Sequence, residues 1–336
     1  MIVQMKLTAG KKEANRVRDF LYRQGFVVKD VSSDNVAIFG IIGDTKALNP
    51  SIIEAFEGVY KVVRIQKPYK LASRDFKKDD TIIQFSDRIS IGGDKFVVIA
   101  GTCSVETKEI MEQVAQHLVK NKLKFIRGGA FKPRTSPYSF QGLEVEGLKL
   151  LHEVARKHNL FSVSEIVAEA DLENFEKYID VFQVGARNMQ NYSLLKVLGE
   201  KTTKPIILKR GLSATIEEWL LSAEYILNGG NPNVILCERG IRTFEKYTRN
   251  TLDISSVLAV KELSHLPVIV DPSHGSGKYS MVEKLTLASY VVGANGAMIE
   301  IHPKPEEAYS DGAQSLRLDS FSHVISEINK LAGTIK

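Results

Sequence analysis

Eight short apolar runs, separated by amphipathic stretches, constrain the fold of this 336-residue chain more than any other feature of its sequence. They begin near residue 95 and are Phe96–Ala100, Lys124–Ile126, Phe161–Val163, Val181–Val184, Pro205–Leu208, Val234–Leu236, Val268–Val270 and Ala297–Ile301. Strands that are apolar on both faces and alternate with helices predict a buried parallel sheet. Eight such units in roughly 260 residues predict a (β/α)8 barrel.

An open, doubly wound sheet is the alternative α/β arrangement for the same alternation. The sequence does not favour it, because no Gly-x-Gly-x-x-Gly motif follows the first run to support nucleotide binding. Helical spacing of apolar residues is clear in segments 106–121, 143–158, 215–228 and 279–292, and in a last helix, 320–331, after the eighth run. The barrel therefore remains the predicted fold for this part of the chain.

Residues 1–66 are predicted to form a separate small domain. Strand and helix signals follow one another in the order βαββαβ, which is typical of a ferredoxin-like domain. It contains no evident catalytic cluster, so we expect a regulatory or assembly role. Residues 67–80 are polar and charged and are predicted to be a linker, and residues 81–336 to be the catalytic barrel, which begins with a hairpin.

Composition narrows the class of protein. The net charge is +5 against 45 basic and 40 acidic residues, without a basic block, so nucleic-acid binding is not expected. No apolar run reaches the length of a membrane span, and the first residues lack the layout of a signal peptide. Two cysteines exclude a disulfide framework and indicate a reduced, cytoplasmic protein.

Polar side chains follow all eight runs, where a barrel of this kind carries its catalytic groups. One set is cationic: Arg127, Lys132, Arg134, Arg187, Lys209 and Arg239. Six converging cations would repel one another in a low-dielectric site unless anions neutralised them. The set therefore predicts multiply anionic ligands, such as two phosphorylated substrates, although any one of these cations could equally form a salt bridge to a neighbouring glutamate.

A second set comprises a thiol, an imidazole and two carboxylates. Its members are Cys103, His274, Glu300 and Asp311, which follow the first, seventh and eighth runs. These runs are neighbours in a closed barrel, and mixed S, N and O ligands suit Mn, Fe, Co or Zn. The alternatives are a buried cysteine with a structural histidine, or a Cys–His nucleophile pair, which two carboxylates would disfavour.

The segment Lys124–Gly142 contains the second run and three of the six cations, Arg127, Lys132 and Arg134. Two glycines break the strand after Arg127, and the loop that follows carries Lys132, Arg134 and a Thr-Ser pair, with prolines at positions 133 and 137. The prolines restrict the backbone on either side of Arg134, which favours a rigid anion cradle over a solvated basic turn.

These motifs resemble those of the 3-deoxy-D-arabino-heptulosonate 7-phosphate (DAHP) synthase family. The signature is Lys132-Pro133-Arg134-Thr135-Ser136-Pro137 with Ser139-Phe140-Gln141-Gly142. Further matches are Arg127-Gly128-Gly129, Gly185-Ala186-Arg187-Asn188, Leu208-Lys209-Arg210-Gly211, Cys237-Glu238-Arg239-Gly240 and Asp271-Pro272-Ser273-His274. The likeness spans the chain, and the N-terminal module is similar to that of feedback-regulated members of the type Iβ branch.

The resemblance implies condensation of phosphoenolpyruvate with erythrose 4-phosphate and water, with release of phosphate, as the first step of the shikimate pathway. By motif, Arg187 and Arg239 would bind the phosphate of phosphoenolpyruvate, and Arg127 and Lys209 its carboxylate. Arg134 and Thr135 would bind the sugar phosphate. Lys132 would act at the reacting centre, together with Cys103 and His274. The resemblance also assigns one divalent metal ion to Cys103, His274, Glu300 and Asp311.

The same resemblance implies regulation and assembly. Tyrosine or phenylalanine is expected to bind the small domain and lower activity, with binding sites shared between the subunits of a homodimer or homotetramer. Two other functions are alternatives to this one. A 3-deoxy-D-manno-octulosonate 8-phosphate synthase typically has Lys-Ala-Asn-Arg where this chain has Lys132-Pro133-Arg134-Thr135, and a non-catalytic amino-acid sensor would not need both polar sets.

One position departs from the family pattern. The family usually has Gly-Pro-Cys-Ser at the end of the first strand, and this chain has Gly101-Thr102-Cys103-Ser104. Loss of the proline removes a restriction on the backbone next to the metal cysteine. We expect metal binding to survive, in weakened form.

Overall fold

The computed structural model describes residues 1–32, 36–43, 45, 48–64, 67–132 and 138–334. The chain divides into two compact units, Met1–Asp79 and Asp80–Lys336, and each is described by itself. Within the described residues, no helix has both the length and the apolar character that crossing a membrane requires.

The first unit has the predicted ferredoxin-like topology. Its elements are β1 (Ile2–Met5), α1 (Lys11–Arg23), β2 (Val27–Asp30), β3 (Ile38–Ile42), α2 (Pro50–Glu54) and β4 (Val59–Val63). The strands pair antiparallel in the order β2-β3-β1-β4. Helix α1 ends before Gly25, whose φ of 81° suits glycine. Asn49 begins α2 by accepting a hydrogen bond from the amide of Ser51.

The segment 67–79, predicted from its polarity to be a linker, belongs to this compact unit. Phe76 is buried, and its ring lies where a side chain at Gly40 would be: a Cβ there would come within 1.8 Å of the ring. Gly40 sits in the middle of β3, so a glycine in this strand allows the aromatic ring to approach the sheet.

The second unit begins with the hairpin β5 (Ile83–Ser86) and β6 (Ile89–Ile91) and continues as a barrel. The barrel strands are β7 (Val97–Ser104), β8 (Phe125–Gly129), β9 (Phe161–Ile166), β10 (Val181–Val184), β11 (Ile206–Lys209), β12 (Val234–Glu238), β13 (Val268–Val270) and β14 (Gly296–Glu300). They are parallel, and the barrel closes where β14 pairs with β7. Each of the eight predicted runs coincides with one strand, so the predicted fold is confirmed.

Helices cover the outside of the barrel. They are α3 (Lys108–Lys120), α4 (Glu144–Lys157), α5 (Leu172–Tyr178), α6 (Tyr192–Lys201), α7 (Ile216–Gly229), α8 (Ser255–Leu263), α10 (Tyr279–Val291) and α11 (Leu318–Thr334), whereas the short helix α9 (Pro272–Ser276) directly follows β13. Trp219 of α7 is fully buried, and its indole N–H donates to the carbonyl of Leu208 at 3.1 Å. Each helix buries one face against the strands, which leaves the strand ends as the place for polar groups.

The hairpin closes the amino-terminal end of the barrel. Ile83 and Ile91 pack in one apolar cluster with inward-facing residues of the barrel strands, among them Ile99, Phe125 and Met298. Burial of one such side chain contributes about 1.5–3 kcal/mol. Because this end is filled with apolar side chains, the site opens at the opposite, carboxyl end of the strands.

Candidate active site

The four residues of the mixed thiol, imidazole and carboxylate set come together at the carboxyl end of the barrel. One donor atom from each of Cys103, His274, Glu300 and Asp311 lies within 4.8 Å of the other three. The thiol of Cys103 is 3.2 Å from Oδ2 of Asp311, and Nε2 of His274 is 3.5 Å from Oε1 of Glu300. Adjacency of β13, β14 and β7 explains why His274, Glu300 and Cys103 converge, since these residues lie at or just after the ends of these strands, whereas Asp311 lies in the segment that follows β14.

A bulge at the end of β7 presents Cys103. The pairing with β8 shifts between Gly101 and Ser104, so β7 carries one extra residue there. The hydroxyl of Thr102 donates to the carbonyl of Ser104 at 2.5 Å and lies 3.4 Å from the sulfur of Met111. This bond spans Cys103, so the threonine restrains the backbone at the position where the family usually has proline.

Asp271 orients His274. Asp271 is fully buried at the start of α9, and its Oδ1 accepts from the backbone amide of His274 at 2.9 Å. Its Oδ2 lies 2.8 Å from Nδ1 of the same histidine, and it also accepts from Nζ of Lys209 at 2.6 Å. Burial opposes ionisation of Asp271, but His274 and Lys209 hold its pKa well below the usual value. An ionised carboxylate at Nδ1 leaves Nε2 of His274 facing the other three donors.

Glu300 is held as a carboxylate by three groups. Its Oε1 is 2.5 Å from Nη1 of Arg127, and its Oε2 accepts from the amide of Gln314 at 2.6 Å. Burial again opposes ionisation, yet His274 and Arg127 lower the pKa of Glu300 below its usual range. A buried glutamate of this kind is ready to bind a cation without first losing a proton.

Cys103 is the protonated member of the cluster. Burial, followed by the charge of Glu300, raises the pKa of its thiol to about 12. Lys132 approaches the sulfur to 3.0 Å through Nζ and also donates to the carbonyl of Cys103. A thiol with so high a pKa is a poor nucleophile. Sulfur, nitrogen and carboxylate donors fit a divalent transition ion better than Mg²⁺ or Ca²⁺, which prefer oxygen alone.

A cavity rich in cations opens beside this cluster. Among the described residues, six basic side chains line it: Lys132, Arg187, Lys209, Arg239, Arg242 and Arg249. His274 and Asp311 form part of the same wall, so the cavity and the cluster adjoin. Burial lowers the pKa of Arg239, as expected for a cation in a place that an anion would stabilise.

The structure places four of the six predicted cations on this cavity. Arg127 instead lies buried beneath the cluster, with only 4% of its surface exposed, where it pairs with Glu300. Arg134 and Thr135 lie outside the described residues, so their predicted contact with a sugar phosphate stays a prediction.

Several residues of the site were not predicted to have a role. Arg242 and Arg249 line the cavity and lie in the segment between β12 and α8. No role was predicted for the residues of this segment after Arg239. Arg249 reaches back to the cluster: Nη1 is 2.9 Å from Oε1 of Gln314 and 3.4 Å from Oδ1 of Asp311. A search for cations further along each strand-to-helix loop would have found both arginines.

Glu165 is a carboxylate of the cavity that was also not predicted to have a role. It follows the third apolar run, lines the cavity, and accepts from the amide of Gln183 at 2.8 Å. A Cβ at Gly185 would come within 2.0 Å of Oε1 of Glu165, so the glycine makes room for the carboxylate. The cavity therefore combines its cations with a fixed carboxylate.

A (β/α)8 barrel with this arrangement defines a class: an enzyme that acts on anionic small molecules next to a cluster suited to a metal ion. The family model described as the DAHP synthetase I family matches residues 80–335. A second model, described as the DAHP synthase ferredoxin-like domain, matches residues 1–67. The chain belongs to the DAHP synthetase I family.

Individual relatives agree with this assignment. The chain is 50% identical to phospho-2-dehydro-3-deoxyheptonate aldolase of Thermotoga maritima over 298 residues. These residues cover 89% of this chain and 88% of the relative. The crystal structure of the Thermotoga maritima DAHP synthase superposes with a TM-score of 0.79 at 46% identity, over 99% of this chain and 97% of that one. A truncated form of the same synthase gives a TM-score of 0.73 at 47% identity, over 79% of this chain and 97% of the truncated form.

The reaction is therefore that of a DAHP synthase. Phosphoenolpyruvate condenses with erythrose 4-phosphate and water to give DAHP and phosphate, the first step of the shikimate pathway. The octulosonate alternative corresponds to a more distant similarity. The 2-dehydro-3-deoxyphosphooctonate aldolase of Fusobacterium nucleatum is 29% identical over 265 residues, which cover 72% of this chain and 94% of the relative.

Proposed function

We propose that the condensation takes place in the cationic cavity at the carboxyl end of the barrel, and that it requires one divalent metal ion, Mn, Fe, Co or Zn. The ion would be held by Cys103, His274, Glu300 and Asp311. The observation that carries this proposal is the convergence of these four donors within 4.8 Å, on the wall of a cavity lined by six described cations.

When bound, the ion supplies Lewis-acid polarisation of the aldehyde oxygen or orientation of the attacking water. The chain supplies the orientation of the donors. Asp271 keeps the proton of His274 on Nδ1 by accepting from it at 2.8 Å. Arg127 and Gln314 fix the two oxygens of Glu300. These contacts set the direction of these two donors before metal or substrate arrives.

Phosphoenolpyruvate is proposed to lie across the cavity. Arg187 and Arg239 would bind its phosphate, and Lys209 and Arg127 its carboxylate. Arg187, Lys209 and Arg239 all line the cavity, and Lys209 is held by Asp271 at 2.6 Å, which supports a fixed position for one cation. Guanidinium groups suit phosphate because their planar forks donate two parallel hydrogen bonds.

Erythrose 4-phosphate is proposed to bind through Arg134 and Thr135. Lys132 and Ser139, on either side of this stretch, both line the cavity. Lys132 would act at the reacting centre, since its Nζ is 3.0 Å from the sulfur of Cys103. The cations would hold two anionic substrates within reacting distance, which the substrates would otherwise avoid.

Regulation and assembly are the last parts of this proposal. Residues 1–66 would form a regulatory domain that binds tyrosine or phenylalanine, with residues 67–80 leading to the barrel at 81–336, in a homodimer or homotetramer. Support comes from the match of residues 1–67 to a ferredoxin-like domain of DAHP synthases. A cytoplasmic location agrees with the two buried, unbridged cysteines.

Phosphate release from phosphoenolpyruvate tests the central proposal. We expect release with erythrose 4-phosphate, loss of release after treatment with EDTA, and recovery when Mn²⁺ or Zn²⁺ is added back. Arabinose 5-phosphate serves as the matched substrate control and should give little release. Full activity after exhaustive chelation, with metal content verified by elemental analysis, would exclude the metal from the reaction.

A further inference from the structure

We propose that Glu106 and His302 form a buried clip that positions Asp311 for the metal ion. This inference rests on the metal site proposed above and adds two residues that do not contact the cavity. Both side chains are almost fully buried, with 1% of Glu106 and 2% of His302 exposed. Their role is to position another residue, without contact to substrate.

Asp311 needs such a device because the barrel alone does not fix it. Glu300 is the last residue of β14, whereas Asp311 comes eleven residues later. Residues 303–310 lead to Asp311 and are here called the Asp311 segment. They are mostly exposed or half-buried. Asp311 itself has a φ of 51°, a left-handed conformation that is energetically unfavourable for a residue other than glycine. Contacts elsewhere must offset this cost.

Three hydrogen bonds tie both ends of the Asp311 segment to Glu106. The backbone amide of Lys304 donates to Nδ1 of His302 at 3.0 Å. Nε2 of His302 lies 3.2 Å from Oε2 of Glu106. The backbone amide of Tyr309 donates to Oε1 of Glu106 at 3.1 Å. One carboxylate therefore holds the start of the segment through His302 and its end directly.

The geometry fixes where the protons are. A backbone N–H can only donate, so Nδ1 of His302 must accept from Lys304 and Nε2 must carry the ring proton. Nε2 then donates to Glu106, whose other oxygen accepts from Tyr309. Both oxygens of Glu106 act as acceptors, which is the pattern of an ionised carboxylate with its partners satisfied.

The clip joins the two parts of the chain that carry Cys103 and Asp311. Glu106 follows Cys103 by three residues, and Tyr309 precedes Asp311 by two. The hydroxyl groups of Ser104 and Ser310 are also hydrogen bonded to each other. Separation of these two parts would move the thiol of Cys103 away from Oδ2 of Asp311, which lies 3.2 Å from it.

The test measures the affinity of the full-length, metal-free chain for Co²⁺ alone. Glu106→Gln keeps the size of the side chain but replaces one acceptor by an N–H donor. Either a bond to His302 or Tyr309 is then lost or, if the ring proton of His302 moves to Nδ1, the bond from the amide of Lys304 is lost. We expect the Kd for Co²⁺ to rise about tenfold or more. His302→Asn, which retains an acceptor near Lys304 but cannot reach Glu106, serves as the second variant if Glu106→Gln does not fold.

Glu112→Gln is the matched control. Glu112 accepts from His158 at 2.7 Å between α3 and α4, on the outside of the barrel, and its Kd should match that of the wild type. Hydrogen exchange of the Asp311 segment should accelerate in Glu106→Gln and not in the control, at unchanged circular dichroism. A Kd within twofold of wild type in both clip variants, or an equal loss in the control, overturns the clip. A wild-type chain that takes up no Co²⁺ overturns the metal site itself.

Discussion

Asp271 lies 2.8 Å from Nδ1 of His274 through the same Oδ2 that accepts from Lys209 at 2.6 Å. One carboxylate thus orients a proposed metal ligand and a proposed substrate cation. Because Asp271 is fully buried, its charge is compensated by these two partners and not by solvent. The proposed metal-binding and anion-binding parts of the site are therefore coupled through a single side chain.

Asp271→Asn should weaken both functions. An amide can turn its N–H towards Nδ1 of His274, which moves the ring proton to Nε2. Nε2 faces the other three proposed ligands, and a protonated Nε2 cannot bind the metal ion. We expect a Kd for Mn²⁺ or Co²⁺ that is about 10–100-fold higher, together with a raised KM for phosphoenolpyruvate. Calorimetric metal titration and initial rates measure the two effects.

The control for this substitution is Asp180→Asn. Asp180 accepts from the amide and the hydroxyl of Ser162, at 2.8 and 2.9 Å, at the amino-terminal end of the barrel. Metal affinity should stay at the wild-type value. Equal metal affinity in Asp271→Asn and wild type would contradict the orienting role of Asp271.

The two buried cysteines offer a second matched comparison. Cys103→Ala removes a proposed ligand, so we expect loss of the thiolate absorption of the Co²⁺ form and loss of activity. Cys237 lies in the apolar cluster of the barrel interior, so Cys237→Ala should retain the absorption and lower stability by about 1–2 kcal/mol. Co²⁺ titration followed by absorbance, with urea unfolding of both variants, measures these outcomes; a Co²⁺–thiolate band that survives in Cys103→Ala would reject the assignment.

Metal uptake should release about one proton per ion near neutral pH. Burial raises the pKa of the Cys103 thiol to about 12, so the metal-free protein holds this proton, and a bound thiolate must lose it. Burial lowers the pKa of His274, and Glu300 and Asp311 have pKa values below normal, so these three ligands bring no proton near pH 8.

The sign of the pH dependence follows from that balance. Affinity should rise with pH, by about tenfold per unit between roughly pH 7 and 9, since one proton competes with the ion. Calorimetric titrations in buffers with different ionisation enthalpies count the protons directly. Zero protons released, or an affinity that falls over this range, would rule out a thiol ligand with a raised pKa.

Removal of residues 1–66 should leave an active but insensitive enzyme. The proposed catalytic residues all lie in the second unit, Asp80–Lys336, and a truncated form of the Thermotoga maritima synthase has a solved structure. We expect a kcat near that of the full chain, with inhibition by tyrosine and phenylalanine abolished. Rates measured with and without each amino acid decide the matter, and a truncated enzyme that both amino acids still inhibit would contradict a regulatory role.

Much of the fold was predictable because it depends on local composition. A strand that is apolar on both faces, such as Val268–Val270, must be buried on both sides, and eight such strands alternating with helices leave few arrangements. Residues at or shortly after the ends of the predicted strands, such as Cys103 and His274, could be assigned to the carboxyl end for the same reason. The packing of Phe76 on Gly40 was missed, because the polar residues around Phe76 indicated a linker.

By itself the sequence determined the barrel, the small domain and the chemical types gathered at the strand ends, since periodicity and position along the chain suffice for these. Only the tertiary structure decided which of them touch. Arg127 and Glu300 are 173 residues apart in the chain, and Lys209 and Asp271 are 62 apart. Closure of β14 on β7 and the parallel register of the strands create these contacts, so their distances and their effects on pKa arise from packing between distant segments.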